Sequence, residues 1–228
     1  MKKKIKILDK KFTNPLLMSV FIFLLNWCEQ SIAVPETEAA SVLPKTSTIV
    51  GFNLNHPQLG KYDLNSIKGK WSLFFFGYAR CPDVCPTELY MMAEMMRIIE
   101  SNSSGEIQPP QVIFVSLDPQ QDAQELLQQY ASSYHSSFIG ITGKQSTIDQ
   151  LAKSMGVSYE RVYHLNGRAL LFDPQKGIPE GLENSYFINH SASIFLVNPN
   201  GKLHAIFSAP HQPDVMIRDI ANIQKAWR

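Results

Sequence analysis

The apolar positions along the chain fall into two kinds of pattern. Trp71-Ser72-Leu73-Phe74-Phe75-Phe76 and Gln111-Val112-Ile113-Phe114-Val115-Ser116-Leu117 are continuous apolar runs, as expected of strands buried on both faces of a sheet. Between them, Pro86 to Glu100 places Leu89, Met92, Ala93, Met96 and Ile99 at spacings of three and four, which predicts an amphipathic helix. A second helix is predicted from Asp118-Pro119, as cap and first turn, to about Tyr134, with Leu126, Leu127 and Tyr130 facing inward. Phe138 to Ile141 reads as a short strand and Ser146 to Met155 as a short helix stopped by Gly156. Ser191 to Val197 and Leu203 to Ser208 flank the turn Asn198-Pro199-Asn200-Gly201 and predict a hairpin, before a last helix from Pro213 to Trp227. Between Tyr159 and Tyr186, Gly167, Asp173-Pro174, Gly177, Pro179 and Gly181 predict an irregular loop or hairpin over the sheet edge.

Strand-helix-strand-helix followed by a hairpin and a helix predicts an α/β fold, a three-layer α/β/α sandwich with a mixed central sheet. That order of elements resembles the thioredoxin-like arrangement. Upstream lies a different pattern. A lysine-rich start (Lys2, Lys3, Lys4, Lys6, Lys10, Lys11) precedes the apolar run from Pro15 to Cys28. Its strongly apolar part is about 13 residues, near a signal-peptide core, and reaches spanning length only if extended through Ile32-Ala33-Val34. Trp27 suits a membrane interface, and the lysines should remain cytoplasmic. The expectation is an uncleaved anchor, with a removed signal as the alternative, and either places the body outside the cytoplasm. The span 36–45, rich in Pro, Thr, Ser, Ala and Glu, reads as a linker. The predicted organisation is therefore 1–34 anchor or signal, 35–45 linker and 46–228 globular domain.

Charge changes the picture only by exclusion. The net charge is +1 over 228 residues, and the lysines of the leader leave the body mildly acidic. A nucleic-acid binder would need a basic face on its folded part; none is expected here. Hydrophobic residues at 44% and charged residues at 18% are ordinary for a globular domain.

The candidate chemistry lies in the cysteines. Cys28 ends the apolar leader, whereas Cys81 and Cys85 stand together in Gly77-Tyr78-Ala79-Arg80-Cys81-Pro82-Asp83-Val84-Cys85-Pro86, at the join between the first buried strand and the first long helix. Three cysteines make no disulfide framework, so a close pair points to a metal site or a redox couple. In a helical first turn, residues four apart share a face with Cβ atoms about 5–6 Å apart. Two thiolates could then grip one soft cation or, with small adjustment, close into a disulfide. The helix N-terminus favours the thiolate that either role requires. Two thiolates alone suit Cu(I), while Cu(II) wants nitrogen as well. Of His56, His135, His164, His190, His204 and His211, His190 stands just before a strand expected beside the first, giving a two-cysteine, one-histidine set. His135, His164, His204 and His211 read as surface or loop residues. Met92 and Met96 read as core filling, Asp118 as a helix cap and Asp83 as a residue that tunes the site.

Phe75 to Leu89, Val115-Ser116-Leu117-Asp118-Pro119 and Asn189-His190-Ser191-Ala192 resemble, in order, three blocks of the Sco (SenC-type) copper chaperones, and the resemblance runs from about Thr46 to Trp227. It implies Cys81, Cys85 and His190 as ligands of one copper ion, as Cu(I), Cu(II) or both. It also implies service to the copper-A subunit of cytochrome c oxidase, another exported copper protein being the alternative recipient; the lysine-rich leader adds the expectation of a domain anchored in the inner membrane and facing the periplasm. The chain departs from the family in two ways. Asn189 stands where an aspartate is usual, and a carboxylate there would orient the ring of His190. The 159–186 region is longer than the family loop. A membrane-tethered thiol-disulfide oxidoreductase using Cys81 and Cys85 as a redox disulfide is the alternative, and a redox or copper sensor a third reading. The three-residue spacer between the cysteines and the absence of proline from His190-Ser191-Ala192-Ser193 favour metal over disulfide turnover.

Overall fold

The computed structural model describes residues 35–102, 105, 107–165, 168–170, 178 and 180–227. The expected anchor, with Trp27 and Cys28, lies outside them, as do Gly167, Asp173-Pro174, Gly177 and Pro179. Among the described residues no helix is long and apolar enough to cross a membrane.

The apolar run 72–77 forms β4 (Ser72–Gly77), every residue of which is buried. Successive side chains of a strand point to opposite faces, so both faces of the sheet are covered here. Its neighbour β5 (Gln111–Ser116) runs parallel to it and pairs in turn with the parallel β6 (Ile139–Ile141). On the other side of β4 lie β10 (Ile194–Val197), β11 (Lys202–Phe207) and β1 (Ala40–Thr48), each antiparallel to its neighbour. The six-stranded order is β1-β11-β10-β4-β5-β6. This is the mixed sheet that the sequence predicts.

The edge strand β1 begins at Ala40, inside the span read as a linker. Its start is pinned by Asp219, whose buried carboxylate accepts hydrogen bonds from the backbone N–H groups of Glu38, Ala39 and Ala40. Asp219 belongs to the C-terminal helix α5 (Pro213–Trp227), so only the folded domain brings the acceptor to this segment. Composition alone could not reveal it.

Two short strands, β2 (Asn53–His56) and β3 (Gly60–Asp63), pair as a hairpin and lead into α1 (Leu64–Ile67), capped by Asp63 and Ser66. Helix α2 (Val84–Ser101) follows β4 and buries Leu89, Met92, Ala93, Met96 and Ile99, together with Met95. The methionines are core residues, and α2 packs against α5. Helix α3 (Gln124–Tyr134) starts well after Asp118-Pro119, and Leu126 is exposed whereas Leu127 is buried. The residues 118–123 instead form a turn, in which the Asp118 carbonyl accepts from the N–H groups of Gln121 and Asp122. Helix α4 (Gln145–Met155) ends at Gly156 in the left-handed conformation, φ 80°, which glycine adopts without steric cost.

The 159–186 region is more ordered than its glycines and prolines suggest. Strand β7 (Tyr159–Leu165) pairs antiparallel with β9 (Tyr186–His190), and β8 (Arg168–Ala169) adds to the other edge of β7. The strand expected from Ser191 begins three residues later than expected. His190 ends β9 in the small sheet, and Ile194 begins β10 in the large one.

Candidate metal centre

The parallel strands β4 and β5 end side by side, and the loops leaving them build the site, as is usual at the carboxyl ends of such strands. After Gly77 the chain turns, with the Cys81 N–H bonded to the Tyr78 carbonyl at 3.2 Å, before α2 begins. Cys81 thus precedes the helix, and Cys85 sits in its first turn. The two are linked by a backbone-to-sulfur contact, with the Cys85 N–H directed at Cys81 Sγ at 3.4 Å. Cys81 Sγ takes the place of a side-chain cap that Asp83 does not provide. Asp83 is exposed, and its carbonyl accepts from Thr87.

Cys85 is fully buried, and Gly77 makes its position possible. A Cβ on residue 77 would lie 2.5 Å from Cys85 Sγ and 2.8 Å from the Phe114 ring. Only a residue without a side chain lets the thiol lie against the strand.

His190 reaches the pair from β9. Its Nε2 lies 3.4 Å from Cys85 Sγ, and the donor atoms of Cys81, Cys85 and His190 all lie within 4.8 Å of one another. Nδ1 faces the Ser191 carbonyl at 2.9 Å. That contact places the ring hydrogen on Nδ1 and leaves the Nε2 lone pair toward the sulfurs, the usual outer support of a ligating histidine. The orienting acceptor is a backbone oxygen, while Asn189 is exposed. The rings of Phe75 and Tyr78 meet the imidazole at 64° and 80°.

Both cysteines are free thiols, and their environments drive them apart. A hydrogen bond from Cys85 holds Cys81 far below the ordinary thiol range. The same contact, together with burial, pushes Cys85 up. The pair is thus asymmetric, and Cys81, the more accessible sulfur, is the one whose thiolate is favoured. Two sulfurs and one imidazole nitrogen form a compact, soft donor set that fits copper and leaves room for an outside ligand.

Around the ligands lies a buried polar frame. Asp118 is fully buried and accepts from Tyr186 Oη at 2.6 Å and from Arg80 at 3.2 Å. Arg80 and Arg161 both approach the Tyr186 ring, at 5.5 and 5.3 Å. Asp122 accepts from Ser116 Oγ and from the Ala79 N–H, fixing the loop just before Cys81. Tyr78 Oη accepts from the Ile188 N–H and so ties that loop to β9. Asp118 is thus a frame residue through its carboxylate, which the cap reading did not anticipate. The block Val115 to Pro119, through its family resemblance, marks Asp118 in sequence, but Tyr186 and Arg161 carry no local signal.

The remaining histidines stand apart from the centre. His211 lies in the loop between β11 and α5, as the loop reading allowed, with its side chain buried, Nδ1 2.7 Å from Glu88 and Nε2 3.2 Å from the Phe207 carbonyl. His204 lies edge-on to Trp71 and Trp227, with ring centroids 5.4 Å from each. His135 approaches Glu100. His164 packs against Phe187 and lines, with Cys81, Asp83, Val162, Asn189 and His190, a groove of about 560 Å³.

Comparison with known proteins agrees with this architecture. The family model described as SCO1/SenC matches residues 43–225. A candidate copper-binding protein of Stutzerimonas stutzeri is 27% identical over 92% of this chain and 96% of its own length. Apo Sco1 of Thermus thermophilus superposes with a TM-score of 0.64 at 30% identity, over 84% of this chain and 99% of that one. The copper-bound ScoI of Bradyrhizobium japonicum gives 0.60 at 26% identity, over 76% and 98%. The chain spans about half the length of the mitochondrial relatives it matches in Arabidopsis and cattle. On its fold, its cysteine block and the match of nearly all its described residues, this chain belongs to the SCO1/SenC family.

Proposed function

We propose that the protein binds one copper ion through Cys81, Cys85 and His190 and delivers it to an exported copper protein, the copper-A subunit of cytochrome c oxidase foremost. The observation that carries this reading is the convergence of the three donor atoms within 4.8 Å. Copper binding in the Bradyrhizobium relative supports the choice of metal, and the copper-A recipient is what the family resemblance implies. The domain works from the periplasmic face of the inner membrane, tethered by residues 1–34, a reading supported by the lysines and apolar run of the leader.

Titration of the reduced domain with copper, followed by absorption, tests the reading. One copper per chain is expected, and Cys81→Ser or His190→Ala should each remove tight binding. Unchanged affinity in both variants would reject the site.

The contact of two free thiols, Cys81 accessible and Cys85 buried behind it, favours one second reading, reduction of a partner's disulfide by Cys81 with Cys85 as resolving thiol. Rapid reduction of a protein disulfide without copper uptake would select it.

A further inference from the structure

No backbone ladder joins the small sheet that presents His190 to the central sheet. Among the described residues β9 pairs with β7, and β7 with β8, and none of the three pairs with a strand of the six-stranded sheet. Cys81 and Cys85 are placed by the end of β4 and the start of α2. His190 therefore meets them only as well as side chains hold the two sheets together. Along β9, Tyr186, Ile188 and His190 alternate with the exposed Phe187 and Asn189, and so share the inner face. Tyr186 stands at the far end of that face, about 13 Å from residue 190 at the usual rise of a strand.

Two polar moorings hold the small sheet, and they meet at Asp118. On β9, Tyr186 Oη donates to the fully buried Asp118 carboxylate at 2.6 Å. Burial and that carboxylate push the Tyr186 phenol up to about 12, so it keeps its hydrogen at neutral pH. On β7, Tyr159 is the cross-strand partner of His190. Its hydroxyl donates to Asp149 and accepts from Gln145 Nε2 at 2.7 Å, both on α4. Gln145 Oε1 accepts from Arg161 at 3.0 Å, and the Arg161 guanidinium lies 3.7 Å from Asp118 and over the Tyr186 ring. Arg80, which precedes Cys81, binds the other Asp118 oxygen at 3.2 Å. A continuous polar chain thus runs from α4 through both strands to the loop of Cys81. Buried charge of this kind holds firmly while it is paired and is costly to leave unpaired.

We infer that Tyr186 is a positioning residue for the metal centre: its bond to Asp118 holds the small sheet where His190 meets the two sulfurs. The inference rests on the copper reading above and adds what sets the place of its nitrogen ligand. Tyr186 acts through His190 and is not itself a ligand. Removing its hydroxyl leaves the ring beside its two arginines but frees β9 from Asp118, with only the longer bond from the Ile188 N–H to Tyr78 Oη, 3.3 Å, on that strand. A drift of about an ångström at His190 is enough to weaken a metal site by tenfold or more. The sulfurs stay in place, because both stand on elements built into the central sheet.

A double-mutant cycle tests this. Cu(I) affinity is measured by chelator competition for the reduced wild type, Tyr186→Phe, His190→Ala and Tyr186→Phe/His190→Ala, with a weaker chelator for the two that lack the histidine. Tyr186→Phe should lower the affinity at least tenfold when His190 is present and less than twofold when it is absent. Equal losses in both backgrounds would mean that the phenol acts on the domain as a whole, and overturn the inference. Wild-type affinity in Tyr186→Phe would also overturn it, since the link through residues 191–193 to β10 would then suffice to place His190. The copper-free protein gives a second readout. Nuclear Overhauser contacts from the His190 imidazole to the Phe75 and Tyr78 rings, which it meets at 6.1 and 6.2 Å between centroids, should be lost in Tyr186→Phe, while those between Phe75 and Phe114 persist. Retention of both sets overturns the inference. A cooperative urea transition establishes that the variant is folded, and Tyr159→Phe, which frees β7 from α4, replaces it in the same cycle if it is not. A wild type that takes up no copper, or His190→Ala with wild-type affinity, rejects the copper site itself; the copper-free spectra then still decide the role of Tyr186.

Discussion

Replacing Gly77 by alanine is a direct probe of how the fold positions the buried ligand. The added Cβ would stand 2.5 Å from Cys85 Sγ and 2.8 Å from Phe114 Cε2. Carbon and sulfur in contact need more than a further ångström, so the thiol or the ring must move. Phe114 is fully buried and stacks on Phe75 at 5.9 Å, which leaves the thiol as the group that yields. Overpacking of this kind costs about 1–3 kcal/mol of stability. A ligand pushed out of place by about an ångström should weaken the metal by roughly 10- to 100-fold, the scale seen when the support of a ligand is lost. Urea unfolding measures the first effect, and Cu(I) competition with a chelator measures the second. Gly143→Ala is the control. Its Cβ would meet Leu54 Cδ2 at 2.9 Å, away from the ligands, so it should cost some stability and no copper affinity. Wild-type affinity in Gly77→Ala, or equal loss in both variants, would refute the argument that residue 77 sets the position of Cys85.

Three further outcomes are expected. Tyr186→Phe removes one hydrogen bond to the buried Asp118 carboxylate and should destabilise the domain by about 1.5–3 kcal/mol in urea unfolding. His211→Ala removes a hydrogen-bond partner of the largely buried Glu88 side chain, for a loss of about 1–3 kcal/mol, read from the same transition. Burial lowers the pKa of both His56 and His204 below the ordinary 6.5, so the unfolded chain takes up protons first as the pH falls. The stability present above pH 6.5 is therefore lost as the pH drops through the folded values. His204→Phe should make the denaturation midpoint fall less between about pH 7.5 and about pH 5 than in the wild type; an unchanged difference would show that His204 does not contribute.

The central sheet and its helices were legible because their periodicity is strong. A strand covered on both faces leaves an unbroken apolar run, as in 72–77, and a helix packed on one side leaves spacings of three and four, as in α2. The cysteine pair was legible because its chemistry is local. What escaped depends on partners distant in sequence. The buried carboxylate of Asp219 turns a polar stretch into the start of β1, and Asp118 looked like a helix cap because Tyr186 and Arg80, its real partners, lie on other elements. The hairpin alternative for 159–186 is met by β7 and β8, but the glycines and prolines gave no sign that β7 would also pair with β9. That pairing nevertheless carries His190 to the sulfurs, so the ligand was identified while the element that presents it was not. Gly77 read as the end of a strand, and only the packed thiol beside it reveals why no side chain fits.

X-ray absorption at the copper edge of the loaded, reduced protein tests the account most directly, since it counts the atoms bound to the metal. Two sulfurs and one imidazole nitrogen are expected, with the nitrogen absent in His190→Ala and one sulfur absent in Cys81→Ser. A copper site with oxygen and nitrogen neighbours alone, or one unchanged in both variants, would contradict it.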